Sequence, residues 1–193
     1  MAERQEARNL DEIRQDHRGR YAFAMAYVEG KVLDAACGTG YGSFMMAQSH
    51  QVDLITGVDI SGHAIAFAKD AWPHEKINWI CNHAAWVDCL DYDWCINFET
   101  LEYVEDPEAL LRNFRGCRNM ICSVPNEDAI PFCKQRFPYH YRHYTPTQFE
   151  LMLVNTGWKI TEKFGQPGLY SEDLEPGFDG RTMIAVCERI KTG

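Results

Sequence analysis

The sequence predicts an α/β fold of the Rossmann-like, doubly wound kind. This means a mostly parallel seven-stranded sheet with an antiparallel edge hairpin and helices on both faces. Three observations predict it. Short apolar runs alternate with helical patterns along most of the chain, and such alternation implies parallel strands joined by right-handed crossovers. The stretch KVLDAACGTGYGS, residues 31–43, runs from a strand through Asp34 into a loop with Gly38, Gly40 and Gly42, and then into helix formers. That order builds a ligand crevice at the carboxyl edge of a parallel sheet. The last two strand-like runs have no helical pattern between them, which fits an antiparallel pair at the sheet edge.

Each element follows from local pattern. Leu10, Ile13, His17, Tyr21, Ala24 and Val28 recur at helical spacing, so residues 7–28 read as an amphipathic capping helix, or two, ended by Gly30. Strands are expected at 31–36, 53–59, 77–81, 93–98, 118–124, 158–164 and 181–188, and helices at 42–50, 62–72, 106–115 and 146–156. Ser61 is placed to cap the helix at 62–72. Asp106-Pro107-Glu108 pairs a capping acid with proline at the first helical position, Thr145-Pro146 repeats the device, and Gly157 closes the last helix. Residues 126–144 form a long insertion for a compact α/β domain and read as a substrate-determining lid. The 193 residues suit one domain, 1–193, with no internal repeat.

Composition narrows the function classes. A net charge of −9 argues against duplex nucleic acid as substrate, because phosphate binding wants a basic face. The only basic clusters are HRGR at 17–20 and KQRFPYHYRH at 134–143. No apolar run approaches the ~20 residues needed to span a bilayer. The charged first residues do not fit a secretory signal, so a cytoplasmic location with no membrane partner is expected. The eight cysteines include no CxxC pair, and Cys81, Cys95, Cys122 and Cys187 fall in apolar strands. Buried, reduced thiols are expected, Cys37 being set apart by its place in the glycine loop, and no metal site is assigned.

Two acids sharpen the reading of the crevice. Asp34 ends its strand just before the glycines, so its carboxylate is expected to point into the site. There it would repel a pyrophosphate and favour a cationic ammonium. S-adenosylmethionine carries an ammonium and a sulfonium and no phosphate. Asp59 ends the next strand nineteen positions after Gly40, the spacing at which a carboxylate accepts hydrogen bonds from ribose hydroxyls.

Together these segments resemble class I S-adenosylmethionine-dependent methyltransferases, above all the small-molecule group of methyltransferase domain types 11 and 23. VLDAACGTGYGS matches that family's first motif, GVDIS its second, YDWCINFETLEYVEDPEALLRNF its fourth-strand region and ICSVPN its fifth strand. DHRGRYAFA resembles the preceding helix in a subset often found with sugar-modifying genes. The resemblance covers nearly the whole chain. It implies S-adenosyl-L-methionine as cofactor, with Asp34 holding the methionyl ammonium directly or through water. It also implies that Gly38 and Gly40 admit the cofactor's backbone-facing groups, that Asp59 binds both ribose hydroxyls, and that Phe98 and Glu99 line the sulfonium end. Tyr21, Ile60 and Ala84 join the expected cofactor set. Arg20 is read either as a partner of the cofactor carboxylate or as a surface charge.

Three positions depart from the family pattern. Ala36 replaces the usual first glycine, so its backbone is expected to avoid φ > 0. His83 stands where an acid often binds the adenine amino group, leaving Asn82, His83 or the backbone at 83–85 to read the adenine edge. Tyr103 stands where relatives often have a histidine.

Methyl transfer is an in-line displacement in which the protein supplies orientation and dryness. A hydroxyl acceptor gains from a general base, and His140 and His143 in FPYHYRHYTP are the candidates, followed by Glu102 and Tyr103. The lid's aromatic and basic residues are expected to bind a sugar ring or an anion. The resulting expectation is methylation, at oxygen, of a small-molecule or saccharide acceptor. The alternatives are a nucleic-acid-modifying methyltransferase, a non-catalytic partner subunit with the same fold and, more weakly, a nicotinamide oxidoreductase. Against the second class, the chain has Asn-Phe-Glu-Thr after the fourth strand where amino-methylating enzymes have Asn/Asp-Pro-Pro-aromatic, and it has no Pro-Cys nucleophile.

Overall fold

The computed structural model describes residues 5–191. Residues 1–4, where the charged N-terminal stretch and the expected 1–193 domain begin, and residues 192–193 lie outside the described residues. Among the described residues, eight strands form one sheet: β1 Gly30–Ala35, β2 Val52–Asp59, β3 Ile77–Cys81, β4 Trp94–Phe98, β5 Asn119–Pro125, β6 Trp158–Gln166, β7 Glu175–Pro176 and β8 Thr182–Arg189. Their spatial order is β3-β2-β1-β4-β5-β8-β6-β7. The first five pair in parallel, while β8 runs antiparallel between β5 and β6. The chain moves outward from β1 to β3 and then returns to place β4 on the other side of β1. The crevice beyond the carboxyl ends of β1 and β4 is therefore a topological switch point, where open α/β sheets bind ligands.

The sheet has one strand more than expected. β7 is two residues long and pairs only with Phe164 and Gly165 of β6. Glu175-Pro176 has no apolar alternation, so a periodicity argument has nothing to detect there.

The described residues also form five α-helices: α1 Gln15–Ala24, α2 Tyr41–Ala47, α3 Gly62–Ala71, α4 Pro107–Phe114 and α5 Pro146–Asn155. The caps are those the sequence suggests. Ser61 accepts from Ala64 N, and Asp106 accepts from Ala109 N. Thr145 and Gln148 form a reciprocal capping box. The helix expected at 7–28 is instead a 3-10 turn, Leu10–Glu12, then extended backbone at Ile13 and Arg14, then α1. The Asn9 side chain accepts from Asp11 N, a local bond that competes with helix. The predicted stripe still buries Ile13, Tyr21, Ala24 and Val28.

Core residues lie on both faces of the sheet. Leu110, Leu111, Phe114, Phe149 and Leu153 of α4 and α5 pack with Leu33 and Met120. Ala24 and Met46 of α1 and α2 pack with Val32, Ile55 and Ile96. Cys95, Cys122 and Cys187 are buried as expected, but Cys81, at the end of edge strand β3, is exposed. Among the described residues no helix is long and apolar enough to cross a membrane.

Residues 126–144 contain no helix or named strand, yet they are pinned at several points. Asn126 bridges to Tyr144, and its Nδ2 donates to the carbonyls of Phe178 and Gly180 at 3.2 and 2.9 Å. Tyr141 N donates to Glu102 O at 2.7 Å, and the Tyr144 hydroxyl donates to Leu101 O at 3.1 Å. The segment is thereby tied to the loop that follows β4.

Candidate active site

A cavity of about 390 Å³ opens at the switch point, a size typical of small-molecule sites. Its floor is the turn after β1. Ala36 takes φ 65°, which corrects the expectation that alanine would keep this backbone out of the left-handed region. The turn is held there by Cys37 N donating to Val58 O at 2.9 Å and Gly40 N donating to Cys37 O at 3.1 Å. A left-handed non-glycine residue costs roughly 1–2 kcal/mol, so these bonds sustain strain at the site. Gly38, at φ 58°, lines the cavity, and a Cβ there would project into open space. Gly40 does not line it. Its glycine is required by packing, since a Cβ would sit 2.5 Å from the Trp79 ring.

Asp59 lines the cavity and braces the turn, its Oδ2 accepting from Gly38 N at 3.0 Å and its Oδ1 from Ser61 N at 2.8 Å. Asp34 is placed differently from the expectation. It lies under the cavity and is 1% exposed, with Ser43 Oγ donating to Oδ2 at 2.6 Å and the Tyr21 hydroxyl to Oδ1 at 3.3 Å. The Tyr21 ring fills the notch above Gly42, where a Cβ would lie 2.0 Å from it, and so stands between Asp34 and the cavity. Burial, reinforced by nearby Asp59 and opposed by the Ser43 and Tyr21 bonds, pushes the Asp34 carboxyl up to about 7.

Arg20 is no surface charge. It is 2% exposed, lines the cavity, and donates from NH1 to Gln166 Oε1 at 2.6 Å and Asp16 Oδ2 at 3.5 Å. Arg14 forks onto Asp16 at 2.8 and 2.6 Å. His17 Nδ1 meets the Tyr41 hydroxyl at 2.6 Å, and burial beside the Arg20 cation pushes that imidazole down to about 3, so it stays neutral. Sequence reasoning did not select Arg14, His17 or Tyr41 for the site. DHRGRYAFA and the residue after Gly40 were the available signal.

The opposite wall carries Phe98, Glu99, Glu102, Tyr103 and His140. Glu99 takes φ 47° and is fixed by Ser123, whose Oγ donates to Oε1 at 2.9 Å. Burial raises the Glu99 carboxyl, and the Arg20 cation opposes the rise. Ile60, His83 and Ala84 line the far end, Ile60 with 66% of its surface exposed. Asn82 does not line it, and its Oδ1 accepts from His83 N at 2.8 Å. His143 lies behind His140 and outside the cavity. The lid's aromatics do not face a ligand as expected. Phe132 and Phe137 pack on the two histidines, Tyr144 is in the core, and Tyr139 and Tyr141 are about half exposed. Histidine rings buried away from water need covering walls, and these aromatics supply them.

The crevice suits a ligand with an adenosyl group and an ammonium. Open space above Gly38 admits a close approach, Asp59 presents carboxylate oxygens at the cavity, Ile60 offers an exposed apolar face, and Asp34 lies one hydroxyl away behind Tyr21.

Comparison with known proteins agrees with this chemistry. Residues 3–163 match the family described as "Methyltransferase domain". Phosphoethanolamine N-methyltransferase 1 of Triticum aestivum is 28% identical over 167 residues, covering 77% of this chain and 30% of that protein. The O-methyltransferase rstn1 of Aspergillus nomiae is 24% identical over 148 residues, covering 68% of this chain and 65% of that one. The aligned region thus spans less than two thirds of either relative. Among solved structures, the methyltransferase domain of bacterial CtHen1-C superposes with a TM-score of 0.70 at 19% identity, covering 91% of this chain and 99% of that one, a likeness of fold alone. The glycine turn, the two strand-end acids and the family match agree, and the chain belongs to the methyltransferase domain family, whose cofactor is S-adenosyl-L-methionine.

Proposed function

We propose that this chain, acting as one domain, transfers the methyl group of S-adenosyl-L-methionine to an oxygen of a small-molecule or saccharide acceptor. The observation that carries the reading is His140, a buried imidazole delivered by the 126–144 segment to the wall that also holds Phe98 and Glu99. When bound, the cofactor supplies an electrophilic methyl on a sulfonium sulfur. The chain's own residues do the rest. Asp59 accepts from the ribose hydroxyls, and the Ala36–Gly38 backbone admits the methionyl portion. The Tyr21–Asp34 pair holds the ammonium, and Arg20, fixed by Gln166, meets the carboxylate. Ile60, His83 and Ala84 enclose the adenine. His140 removes the acceptor's proton, with Glu102 and Tyr103 flanking it. The 126–144 segment acts as a lid by carrying His140 and excluding water rather than by stacking on the acceptor.

The cavity walls bear Asp59, Glu99 and Glu102 beside Arg14 and Arg20, which are already paired with Asp16, so they offer no surplus of basic groups to a phosphate backbone, and this supports a small acceptor over RNA. The test has two steps. Calorimetry should show binding of S-adenosyl-L-methionine and S-adenosylhomocysteine. Product formation should then be followed with panels of saccharides, phenols, phosphorylated amines and small RNA duplexes. Turnover confined to hydroxyl compounds is expected. Turnover confined to amines or RNA would overturn the acceptor assignment, and cofactor binding with no turnover across the panels would favour a partner subunit.

A further inference from the structure

Glu99 stands one residue past the end of β4, and Asp59 ends β2. These strands flank β1, so the cavity has a carboxylate on each side of the turn after β1. Three bonds fix Glu99 to Ser123 on the neighbouring strand β5. Glu99 N donates to Ser123 O at 3.2 Å and to Ser123 Oγ at 3.1 Å, and Ser123 Oγ donates to Oε1 at 2.9 Å. The other oxygen, Oε2, has no donor among the described residues and is open to the cavity that Glu99 lines. Ser123 and the Arg20 cation both favour the ionised carboxylate against burial.

The backbone singles out the same residue. Among the described non-glycine residues only Ala36 and Glu99 take a positive φ, and both line the cavity. Left-handed backbone costs a residue with a Cβ, and such strain gathers at ligand sites, where surrounding bonds hold it. At Glu99 the bonds that hold it are those to Ser123, and they aim one carboxylate oxygen at the cavity while anchoring the other.

A carboxylate only accepts hydrogen bonds, so the group opposite Oε2 must donate. Under the proposed function the cofactor has no donor left for it. The ribose hydroxyls go to Asp59, the ammonium to the Tyr21–Asp34 pair and the adenine to the far end beside Ile60 and His83. The sulfonium carries no hydrogen on sulfur, and its charge disappears during transfer. A carboxylate bound to it would favour the starting state over the transition state and slow the reaction. The ligand that remains for this wall is the methyl acceptor.

We infer that Glu99 is an acceptor-binding residue: its Oε2 takes a hydrogen bond from a second hydroxyl beside the one that is methylated, so the acceptor is a vicinal diol of the saccharide or polyol kind. This deepens the proposed function and rests on its hydroxyl acceptor. A compound with a single hydroxyl would displace water from Oε2 and return no donor, a loss paid in binding.

Two measurements test the assignment. The first needs no acceptor. Calorimetry on the full chain compares wild type with Glu99→Gln for S-adenosyl-L-methionine, which carries the sulfonium, and for S-adenosylhomocysteine, which does not. Glutamine keeps the size of the side chain, and its amide oxygen still accepts from Ser123. Both affinities should stay within about twofold of wild type. A tenfold loss for S-adenosyl-L-methionine alone would make Glu99 a sulfonium partner, and a tenfold loss for both would make it part of the cofactor seat; either overturns the inference. The second measurement follows product formation from matched pairs: catechol against phenol, and methyl hexopyranosides against their monodeoxy counterparts. Wild type should favour the diols by about tenfold or more in kcat/KM, with the advantage in KM, as expected for a hydrogen bond to a charged group. Glu99→Gln should erase most of that preference, and Ser123→Ala, which releases the anchored oxygen, should erase part of it. Equal use of the paired compounds by wild type, or an unchanged preference in folded Glu99→Gln, would overturn the inference. Should Glu99→Gln fail to fold, the wild-type ratios within the pairs decide. Turnover confined to amines or RNA would instead remove the hydroxyl acceptor on which the inference rests, so the two failures are distinguishable.

Discussion

Asp34→Asn should stabilise the free protein above neutral pH while weakening its grip on the cofactor. Asp34 is fully enclosed, receives hydrogen bonds from Ser43 and Tyr21, and has Asp59 nearby. Its carboxyl is pushed from 3.8 up to about 7, first by burial and then by Asp59, against those two bonds. The folded state therefore holds a proton that the unfolded chain releases between pH about 4 and about 7. Stability contributed by this group is present below that window and is lost as pH rises through it. A shift of roughly three units corresponds to about 4 kcal/mol, since each unit is worth 1.36 kcal/mol. Asparagine keeps the shape, can accept from Ser43 and can donate to the Tyr21 oxygen, so it removes the titration without leaving a cavity. Urea denaturation of cofactor-free protein at pH 4.5 and pH 8 measures the effect. The variant should gain up to about 3 kcal/mol relative to wild type between the two conditions, since pH 4.5 already lies inside the window. Calorimetry at pH 8 should show cofactor affinity reduced about 10- to 100-fold, because a neutral amide cannot attract an ammonium as a carboxylate does. Parallel loss of stability in variant and wild type would refute the burial argument, and unchanged affinity would refute the ammonium role.

Three further perturbations follow from the same geometry. Asp59→Ala removes the carboxylate that braces Gly38 N and faces the cavity, and should weaken cofactor binding about 10- to 100-fold by calorimetry; unchanged affinity would remove Asp59 from the site. Ala36→Gly relieves a left-handed alanine and should raise stability by up to about 1 kcal/mol by thermal denaturation, whereas a comparable loss would show that the turn is not strained. His140→Ala should lower turnover about 100-fold with cofactor affinity nearly intact and should remove the acidic limb of the pH–rate profile, an outcome checked by paired binding and rate measurements once an acceptor is known.

What could be read along the chain was what is written in local pattern. The glycine turn, the strand-end acids, the proline and threonine caps and the alternation of elements all depend on residues within a few positions of one another, so they survive without tertiary knowledge. The placement of side chains did not. Asp34 ends its strand as expected, but Tyr21, thirteen positions earlier, covers it, and only the packing of α1 over α2 decides that. Sequence left Arg20 open between a cofactor partner and a surface charge, and the choice turns on β6, which brings Gln166 to it across 146 positions. Ala36 broke a rule of local conformational preference because hydrogen bonds to Val58 and within the turn outweigh the cost of its Cβ. The two histidines were visible as a pair, three apart in an aromatic loop, but their distinct roles were not. Which ring lines the cavity is set by the packing of Phe137 and Tyr103 against His140 and by the contact of His143 with the Ile130 carbonyl. Sequence determines which groups are available and which elements carry them. Long-range packing decides which of those groups lose water, which meet a partner and which are left facing a ligand.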